Sequence, residues 1–349
     1  MKLLIITQKI DKEDPILGFF CSWVNEFAKY FEEVNVICLE KGNYINPSNV
    51  NVFSLGKEKD VSKFSYIKNL IYFLRKLNRR YDKVFVHMNP EYIVLCGLWW
   101  KMTNKDIFLW YTHRNVDLKL KIASIFSKYI FTSSAESMRV KTKKAVSLGH
   151  GINIEKFVFK YKKYESNQEL NIAYIGRISR IKNIGILLDL VSLLEVKNIK
   201  SKIHVIGDCI MTDDYIYKQE LLNIIKNKNF SDKIIFNGWI KPDEIISKLE
   251  NIDISINLSP TGGMDKTVLE SILLGIPTFF SNKAFSSVFG EYSNVFLFDY
   301  KNSNSLTERI EGYISNNKSE EILNTLNVKV RRDFDVKNLI RKIVEYIQL

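Results

Sequence analysis

The chain has 349 residues, of which 46% are hydrophobic and 26% are charged; this is the composition of a folded protein and excludes a disordered or low-complexity chain. Because 349 residues exceed a usual single core, we expect two domains. The formal net charge of +12 favours an anionic partner, such as a nucleotide diphosphate, an acidic membrane surface or nucleic acid, although a lysine-rich genome would give the same excess.

The sequence indicates neither export, nor membrane insertion, nor metal binding. The N-terminal apolar run is too short for a signal peptide, and the longest apolar stretch, residues 92–100, falls far short of the roughly 20 residues that a spanning helix needs. The four cysteines form no CxxC pair and are typical of reduced, mostly buried thiols, and the four histidines lack metal-ligand spacing. We therefore expect a cytoplasmic protein without a bound metal.

Short strand-like runs alternate with helical stretches in the first part of the chain. Several runs are almost wholly apolar, which is typical of parallel strands covered on both faces by helices, so the alternation predicts a doubly wound sheet. The predicted strands are residues 2–7, 34–39, 83–87, 106–111, 130–132 and 145–148, and the predicted helices are residues 23–31 and 66–77.

Residues 151–169 are polar and charged and predict a linker, after which the alternation resumes. We therefore predict an α/β protein of two Rossmann-like, doubly wound parallel-sheet domains, residues 1–160 and 161–349, that face a cleft. The second domain would contain strands at residues 171–175, 202–207, 233–237, 252–258, 278–281 and 295–299, helices at 184–194, 215–226, 244–250 and 268–274, and a final amphipathic helix at 336–347 that could pack on either domain.

A glycine and two cations, Gly176, Arg177 and Lys182, follow the first strand of the second series. Cations placed between the carboxyl end of a strand and the next helix can hold a diphosphate. A solvated basic loop would show the same pattern. Neither domain carries a G-x-G-x-x-G motif after its first strand, and the chain has no P-loop and no nucleophile elbow.

A second loop, with Gly262 and Gly263, follows the fourth strand of that series. Its glycines let the backbone approach a ligand closely, and a helix that begins near Asp265 offers N–H groups to an anion. Glu270 lies one turn into this helix, where it could accept hydrogen bonds from vicinal hydroxyls. Alternatively, Thr267 and Glu270 form a capping box in which the glutamate serves only its own helix.

His113 lies just after the predicted strand 106–111 of the first domain. A histidine at the carboxyl end of a strand would face the cleft in this architecture. A lone histidine is more often structural, so both interpretations stay open.

The order of these segments resembles the retaining glycosyltransferases of the GT-B fold, most closely glycosyltransferase family 4, also called glycosyl transferases group 1. The resemblance covers nearly the whole chain. It implies an N-terminal acceptor-binding domain, a C-terminal donor-binding domain and catalysis without a metal. Its motifs here are Gly18, His113, Gly149–Asn153, Gly176-Arg177 with Lys182, Phe236–Trp239 and Glu270–Pro277.

The resemblance further implies an enzyme that moves a sugar from a nucleotide-diphosphate sugar to a glycan or lipid-linked acceptor with retention of anomeric configuration. It implies no cofactor besides the donor, with UDP slightly favoured over GDP, and it leaves the oligomeric state open. The implied catalytic residues are His113, Arg177 and Lys182, and the implied donor-binding residues are Gly18, Gly176, Gly262, Gly263, Asp265, Lys266 and Glu270.

One position departs from the family pattern. The family shows an E-x7-E pair, and Gly262 stands where its first glutamate would be, while Glu270 matches the second. Asp265 and Lys266 are the expected replacements. Two other classes remain as alternatives, a GT-B-fold epimerase or glycosyl phosphorylase and a basic nucleic-acid-binding protein; we expect no nucleic acid because no stacking platform accompanies the charge.

Residues 63–80 combine an apolar stripe with positive charge. Such a segment can lie in the interface of an acidic bilayer, which predicts a peripheral position on the inner face of the cell membrane. Any helix that covers a sheet would show the same stripe. The stripe consists of Phe64, Ile67, Leu70, Ile71, Leu74 and Leu77, with Tyr66 and Phe73 beside it and Lys68, Arg75, Lys76, Arg79 and Arg80 as cations.

Overall fold

The structure, a computed structural model, describes residues 1–113, 115–134, 137–140, 142–241, 244–260 and 263–349. These residues form two compact units, residues 1–153 with 334–349, and residues 154–333. The strands are β1 (Lys2–Ile10), β2 (Glu33–Lys41), β3 (Val50–Ser54), β4 (Lys83–His87), β5 (Asp106–Trp110), β6 (Tyr129–Thr132), β7 (Ala145–Ser147), β8 (Leu170–Ile175), β9 (Ser201–Ile206), β10 (Ile234–Gly238), β11 (Ile254–Asn257) and β12 (Thr278–Phe280).

The helices in the same described residues alternate with these strands and then close the chain. They are α1 (Phe20–Ala28), α2 (Lys63–Leu77), α3 (Glu91–Met102), α4 (Leu118–Phe126), α5 (Ile186–Val196), α6 (Thr212–Asn227), α7 (Ile245–Leu249), α8 (Lys266–Leu274), α9 (Ser286–Phe289), α10 (Ser293–Phe296), α11 (Ser303–Ile314), α12 (Ser319–Phe334) and α13 (Val336–Gln348). Among the described residues, no helix is both long and apolar enough to cross a membrane.

The first unit is built on a parallel sheet with both faces covered. Its strands in the described residues have the order β3-β2-β1-β4-β5-β6-β7. In β1, Leu3 and Ile5 enter the core beneath α1 and α13, while Leu4 and Ile6 enter the core beneath α2, α3 and α4. Because alternate side chains of a strand point to opposite faces, the part of a strand that is buried on both faces must be apolar, as residues 3–6 of β1 are.

The second unit contains a smaller parallel sheet with the strand order β10-β9-β8-β11-β12 in the described residues. In both sheets the order reverses beside the first strand, between β1 and β4 and between β8 and β11. Ligands of open α/β sheets bind at this point, outside the carboxyl ends of the strands. Helix α8 is fixed there at its far end, where Asn327 of α12 donates to the carbonyl oxygens of Ile272 (2.9 Å) and Leu273 (3.2 Å).

The chain returns to the first unit at its end. The N–H of Ile152 donates to the Phe334 carbonyl at 2.8 Å, and the N–H of Val336 donates to the Ile152 carbonyl at 2.9 Å. Helix α13 then buries all the apolar residues of its inner face in the core of the first unit, which answers the question that the sequence left open. These residues are Val336, Leu339, Ile340, Ile343, Val344 and Ile347.

The predicted domain boundary and one predicted strand differ from the structure. The units divide between residues 153 and 154 instead of at 160, because the N–H of Lys160 donates to the Leu274 carbonyl (3.0 Å) and so joins this segment to the second unit. The predicted strand 295–299 is wrong. Residues Ser293–Phe296 form the short helix α10, and only Leu297 makes a single bridge to Phe280.

The packing of α13 predicts a large loss of stability on truncation of its inner face. Ile343 is fully buried, and we expect Ile343→Ala to lower the free energy of unfolding by about 2–5 kcal/mol, measured by urea denaturation. Arg341→Ala on the exposed face of the same helix serves as the control, with an expected loss of about 0.5 kcal/mol or less. Equal effects of the two substitutions would contradict the packing of α13 on this core.

Candidate functional site

The candidate site of the second unit lies at the carboxyl ends of β8 and β11, where the strand order reverses. Lys182, in the loop after β8, donates from Nζ to Ser259 Oγ and to Asp265 Oδ2 (3.1 Å). The same carboxylate oxygen accepts from Ser259 Oγ and from Asn257 Nδ2 at 2.9 Å. These four side chains therefore join the loop after β8 to the loop after β11.

Asp265 stays ionised in this network. Burial raises the pKa of its carboxyl, but the charge of Lys182 and the hydrogen bonds from Ser259 and Asn257 outweigh burial and hold the pKa below its usual value. The Lys182 side chain is only 24% exposed, because the carboxylate holds it in place.

Arg177 is likewise paired with a carboxylate. Its Nε donates to Asp214 Oδ2 at 2.7 Å, and that oxygen also accepts from the N–H groups of Ile210 (2.9 Å) and Met211 (3.0 Å) at the start of α6. Chiefly through the Arg177 hydrogen bond, the pKa of Asp214 falls to about 2. Among the described residues no hydrogen bond occupies Nη1 or Nη2 of Arg177, so the outer edge of the guanidinium can bind an anion.

Close backbone contact brings the ends of neighbouring strands together at this edge. A Cβ atom on Gly207, after β9, would lie 2.0 Å from the carbonyl oxygen of Gly176, after β8, and Gly207 has a φ of +139°. Only glycine fits at position 207. Gly176 thus belongs to the site by position, and Gly207 was missed because its role depends on a neighbour 31 positions earlier in the chain.

Helix α8 begins at this same edge. Asp265 is its N-cap in extended conformation, Lys266 is its first residue, and Asn282 donates to the Gly263 carbonyl at 3.3 Å. The start of the helix therefore presents backbone N–H donors beside Lys182. Gly262, the other predicted residue of this loop, lies outside the described residues.

The position of the N-cap excludes the capping-box interpretation of Glu270. A capping box pairs the N-cap with the third helical residue, whereas Thr267 is the second helical residue here and Glu270 lies farther along. Burial raises the pKa of Glu270, against the charges of Lys266 and Lys156. Burial likewise lowers the pKa of Lys266 to about 8, against the charge of Glu270. The two side chains lie four residues apart on α8, and each charge shifts the pKa of the other; we call them the shielded pair.

The remaining predicted residues belong to the first unit. Gly18 lies in the turn between β1 and α1, and a Cβ there would meet the carbonyl oxygens of Asp14 (2.6 Å) and Lys12 (2.7 Å), so the turn itself requires glycine. His113 is exposed after β5, with its ring centroid 6.3 Å from that of Tyr111. His87, which no sequence motif indicates, is buried at the end of β4 with its Nδ1 3.2 Å from Thr7 Oγ1.

The described residues contain no group of three or more His, Cys, Asp or Glu side chains that could hold a metal ion. All four cysteines are buried and free, as expected. Burial raises the pKa of Cys21 to about 11 and those of Cys38 and Cys96 to about 12, so these thiols stay protonated at neutral pH.

Known proteins share both the domain and the fold. Residues 155–327, nearly the whole second unit, match the family model described as Glycosyl transferases group 1. The O-antigen biosynthesis glycosyltransferase WclY of Escherichia coli is 32% identical over 102 residues, which span 29% of this chain and 28% of that protein. HepE of Anabaena, solved in complex with UDP, has a TM-score of 0.74 at 15% identity and covers 100% of both chains. Sucrose-phosphate synthase of Thermosynechococcus elongatus has a TM-score of 0.72 at 11% identity, over 99% of this chain and 98% of that one.

These similarities define the class of protein. The chain has the GT-B fold, and residues 155–327 of its second unit match the glycosyl transferases group 1 domain. The site described above, at the ends of β8 and β11, lies within that domain.

The shielded pair on α8 makes a testable electrostatic prediction. Lys266→Met removes the largest charge that stabilises ionised Glu270, so the pKa of Glu270, already raised by burial, should rise further. The titration can be followed by ¹³C NMR of labelled glutamate side chains. Lys283→Met, which removes an exposed lysine of the same unit, is the matched control and should leave the titration unchanged. An unchanged pKa in Lys266→Met would show that the two groups do not interact.

Proposed function

We propose that this protein is a glycosyltransferase that transfers a sugar from a nucleotide-diphosphate sugar to a glycan or lipid-linked acceptor. The observation that carries the proposal is the convergence of Arg177, Lys182 and the start of α8 on one sheet edge of a glycosyl transferases group 1 domain. Two fixed cations and a helix start form a binding site for an anion with two phosphate groups.

In this proposal, each cation has donors left for the ligand. Lys182 uses two N–H groups on Ser259 and Asp265, and an ammonium has a third. Arg177 is oriented by Asp214 through Nε and turns its remaining edge toward the diphosphate. Negative charge grows on the leaving diphosphate as the anomeric bond breaks, and charges already fixed in place stabilise it without reorganising. The same two cations supply the charge that a metal ion would supply, so the proposed transfer is metal-independent and needs no cofactor besides the donor.

We place the ribose of the donor at Glu270, because the capping role is excluded and a shielded carboxylate at the helix start is a strong acceptor for vicinal hydroxyls. The complex of HepE with UDP supports a uridine donor, and the O-antigen relative supports a glycan acceptor. Asp265 and Lys266 are the expected replacements for the glutamate absent at Gly262. In this proposal Asp265 acts by holding Lys182, and Lys266 acts through its charge on Glu270.

The transfer itself is proposed to retain the anomeric configuration by front-face substitution through an oxocarbenium-like state. His113 would contact the transferred sugar, and we propose no covalent nucleophile. This part of the proposal rests on the family resemblance of the motif order.

Removing either cation should slow turnover by about 10²-fold or more, because each supplies one preorganised charge contact. Arg177→Ala and Lys182→Ala can be compared by the release of nucleoside diphosphate from a panel of nucleotide sugars. The matched control is Arg180→Ala in the same loop, since Arg180 pairs with Glu220 at 2.6 Å and with Asp213 on the exposed side. Near-normal turnover in the Arg177→Ala, Lys182→Ala double variant would refute the assignment.

The pairing of Lys182 adds a second readout to this experiment. Lys182→Ala leaves Asp265 without its cation and should lower the melting temperature of the ligand-free protein. Adding Asp265→Asn should restore part of that stability but none of the turnover, which separates the structural role of the lysine from its proposed role toward the donor.

Glu270 and His113 are proposed to contact different parts of the donor, the ribose and the transferred sugar, so their substitutions should have different effects. Glu270→Gln should weaken the affinity for a bare nucleoside diphosphate by about tenfold, because the ribose hydroxyls lose a charged acceptor. His113→Ala should lower turnover while leaving that affinity unchanged, since it is proposed to touch the sugar alone. Isothermal titration with UDP and GDP together with steady-state kinetics measures both. Equal losses of nucleoside diphosphate affinity in the two variants would contradict the placement of His113.

A further inference from the structure

Helices α2, α3 and α4 of the first unit expose an unusual amount of apolar surface. They cover one face of the sheet and share a core there. On α2, the predicted stripe divides into two rows: Leu70, Leu74 and Leu77 are buried, while Phe64, with 86% of its surface exposed, Ile67 and Ile71 point to solvent. A helix that only covers a sheet needs the first row and not the second.

The same holds for the two neighbouring helices. Apart from Ile16, Tyr30, Ile45 and the terminal Leu349, every exposed large apolar side chain in the described residues of the first unit lies on α2, α3 or α4. Those on α3 and α4 are Val94, Leu95, Leu98, Trp99, Met102, Leu118 and Ile125.

The opposite face of the sheet provides an internal comparison. Helices α1 and α13 bury their large apolar side chains and expose polar ones, such as Asn25, Lys337, Arg341 and Glu345. The first unit therefore has a polar, water-facing helical layer on one face of its sheet and an exposed apolar helical layer on the other face. An exposed apolar patch spread over three helices indicates a surface that is covered by a partner.

The charge of this layer identifies the kind of partner. Helices α2, α3 and α4 carry a single acidic residue, Glu91, whose carboxylate lies 3.0 Å from Lys119 Nζ. Seven exposed cations surround the apolar side chains: Lys63, Lys68, Arg75, Lys76, Lys101, Lys119 and Lys121.

We propose that the α2–α3–α4 layer docks on an anionic lipid bilayer, with its apolar side chains in the interface and its cations among the acidic headgroups. Amphipathic surfaces of this composition lie in the plane of the membrane, and Trp99 and Tyr72 are the side chain types that favour the headgroup level. A second copy of this chain is disfavoured as the occupant, because a two-fold dimer through this layer would bring the same seven cations together.

The docking does not depend on the glycosyl transfer proposed above, but it deepens that proposal. A lipid-linked acceptor would lie in the surface to which the first unit binds. Docking in the plane of the membrane also needs no spanning helix, and none was found among the described residues.

Sedimentation with vesicles of phosphatidylcholine alone, and of phosphatidylcholine with about one third phosphatidylglycerol, tests this surface without any nucleotide sugar. The protein should sediment only with the acidic vesicles, and raising the salt should weaken binding about tenfold or more. The double substitution Lys68→Glu with Lys76→Glu should also weaken binding to acidic vesicles about tenfold or more. We expect the same of Phe64→Ser with Ile71→Ser. We avoid Arg80 because it forms an ion pair with Glu33 of β2 and so belongs to the fold.

The matched control, Lys337→Glu with Arg341→Glu on α13, changes the net charge equally on the opposite face and should bind like the wild type.

The fluorescence of Trp99 gives a local probe of the α2–α3–α4 layer. With Trp239→Phe as background, the other tryptophans, Trp23, Trp100 and Trp110, are buried, so acidic vesicles should shift the emission to the blue and Trp99→Phe should abolish the shift.

Three outcomes would overturn the proposal. The protein could remain in the supernatant with acidic vesicles at low salt. The α13 control could lose as much binding as the α2 variants. Analytical ultracentrifugation without vesicles could show a dimer that Phe64→Ser with Ile71→Ser dissociates while vesicle binding is unchanged, which would assign the layer to a second copy of the chain.

Discussion

The ion pair between Lys182 and Asp265 is the interaction on which the candidate site depends. It joins the loop after β8 to the N-cap of α8, two segments 83 positions apart in the chain. Buried Asn257 and Ser259 complete the hydrogen bonds of the carboxylate, so the charge can persist beside the core. An isolated lysine in this loop would point into water and would cost ordering entropy when a ligand bound it. Held by Asp265, the lysine keeps a fixed position while it retains a donor for an anion.

The same arrangement recurs at Arg177 and, in altered form, at Glu270. Asp214 orients the guanidinium from behind through Nε, and Lys266 lies one turn from Glu270 on α8. Each charged side chain that we assign to the donor thus has an opposite charge beside it in the protein. Such pairs contribute little to the free energy of unfolding once the desolvation of the charges is counted. Their role is to orient the side chains, because each pair determines which side of the charged group remains available to a ligand.

Much of the fold could be predicted from the sequence because the parallel strands are buried on both faces. Runs such as Val84–Val86 admit few other structures, and strand β4 was predicted at its observed bounds. The edge strand β3 was missed because it is partly polar, and α3 was missed because it is apolar on nearly all sides and shows no helical period. A strand was wrongly predicted at 295–299 because this segment is apolar. Its phenylalanines are buried without forming a strand: Phe296 lies in a short helix and Phe298 in an irregular segment.

The site could be predicted only where local sequence decides it. The turn at Gly176, the cations after β8 and the helix start near Asp265 all follow from neighbouring residues. The partners of those cations could not be found in this way, since Asp214 approaches Arg177, and Ser259 approaches Lys182, only through the strand order of the sheet. The same limit explains α2, whose sequence shows an apolar stripe but not which part of it the sheet covers. A helix on a flat sheet can bury only one side, so the exposed row of Phe64, Ile67 and Ile71 is apolar surface that the core does not use. Together with the exposed apolar side chains and cations of α3 and α4, this row forms one amphipathic surface.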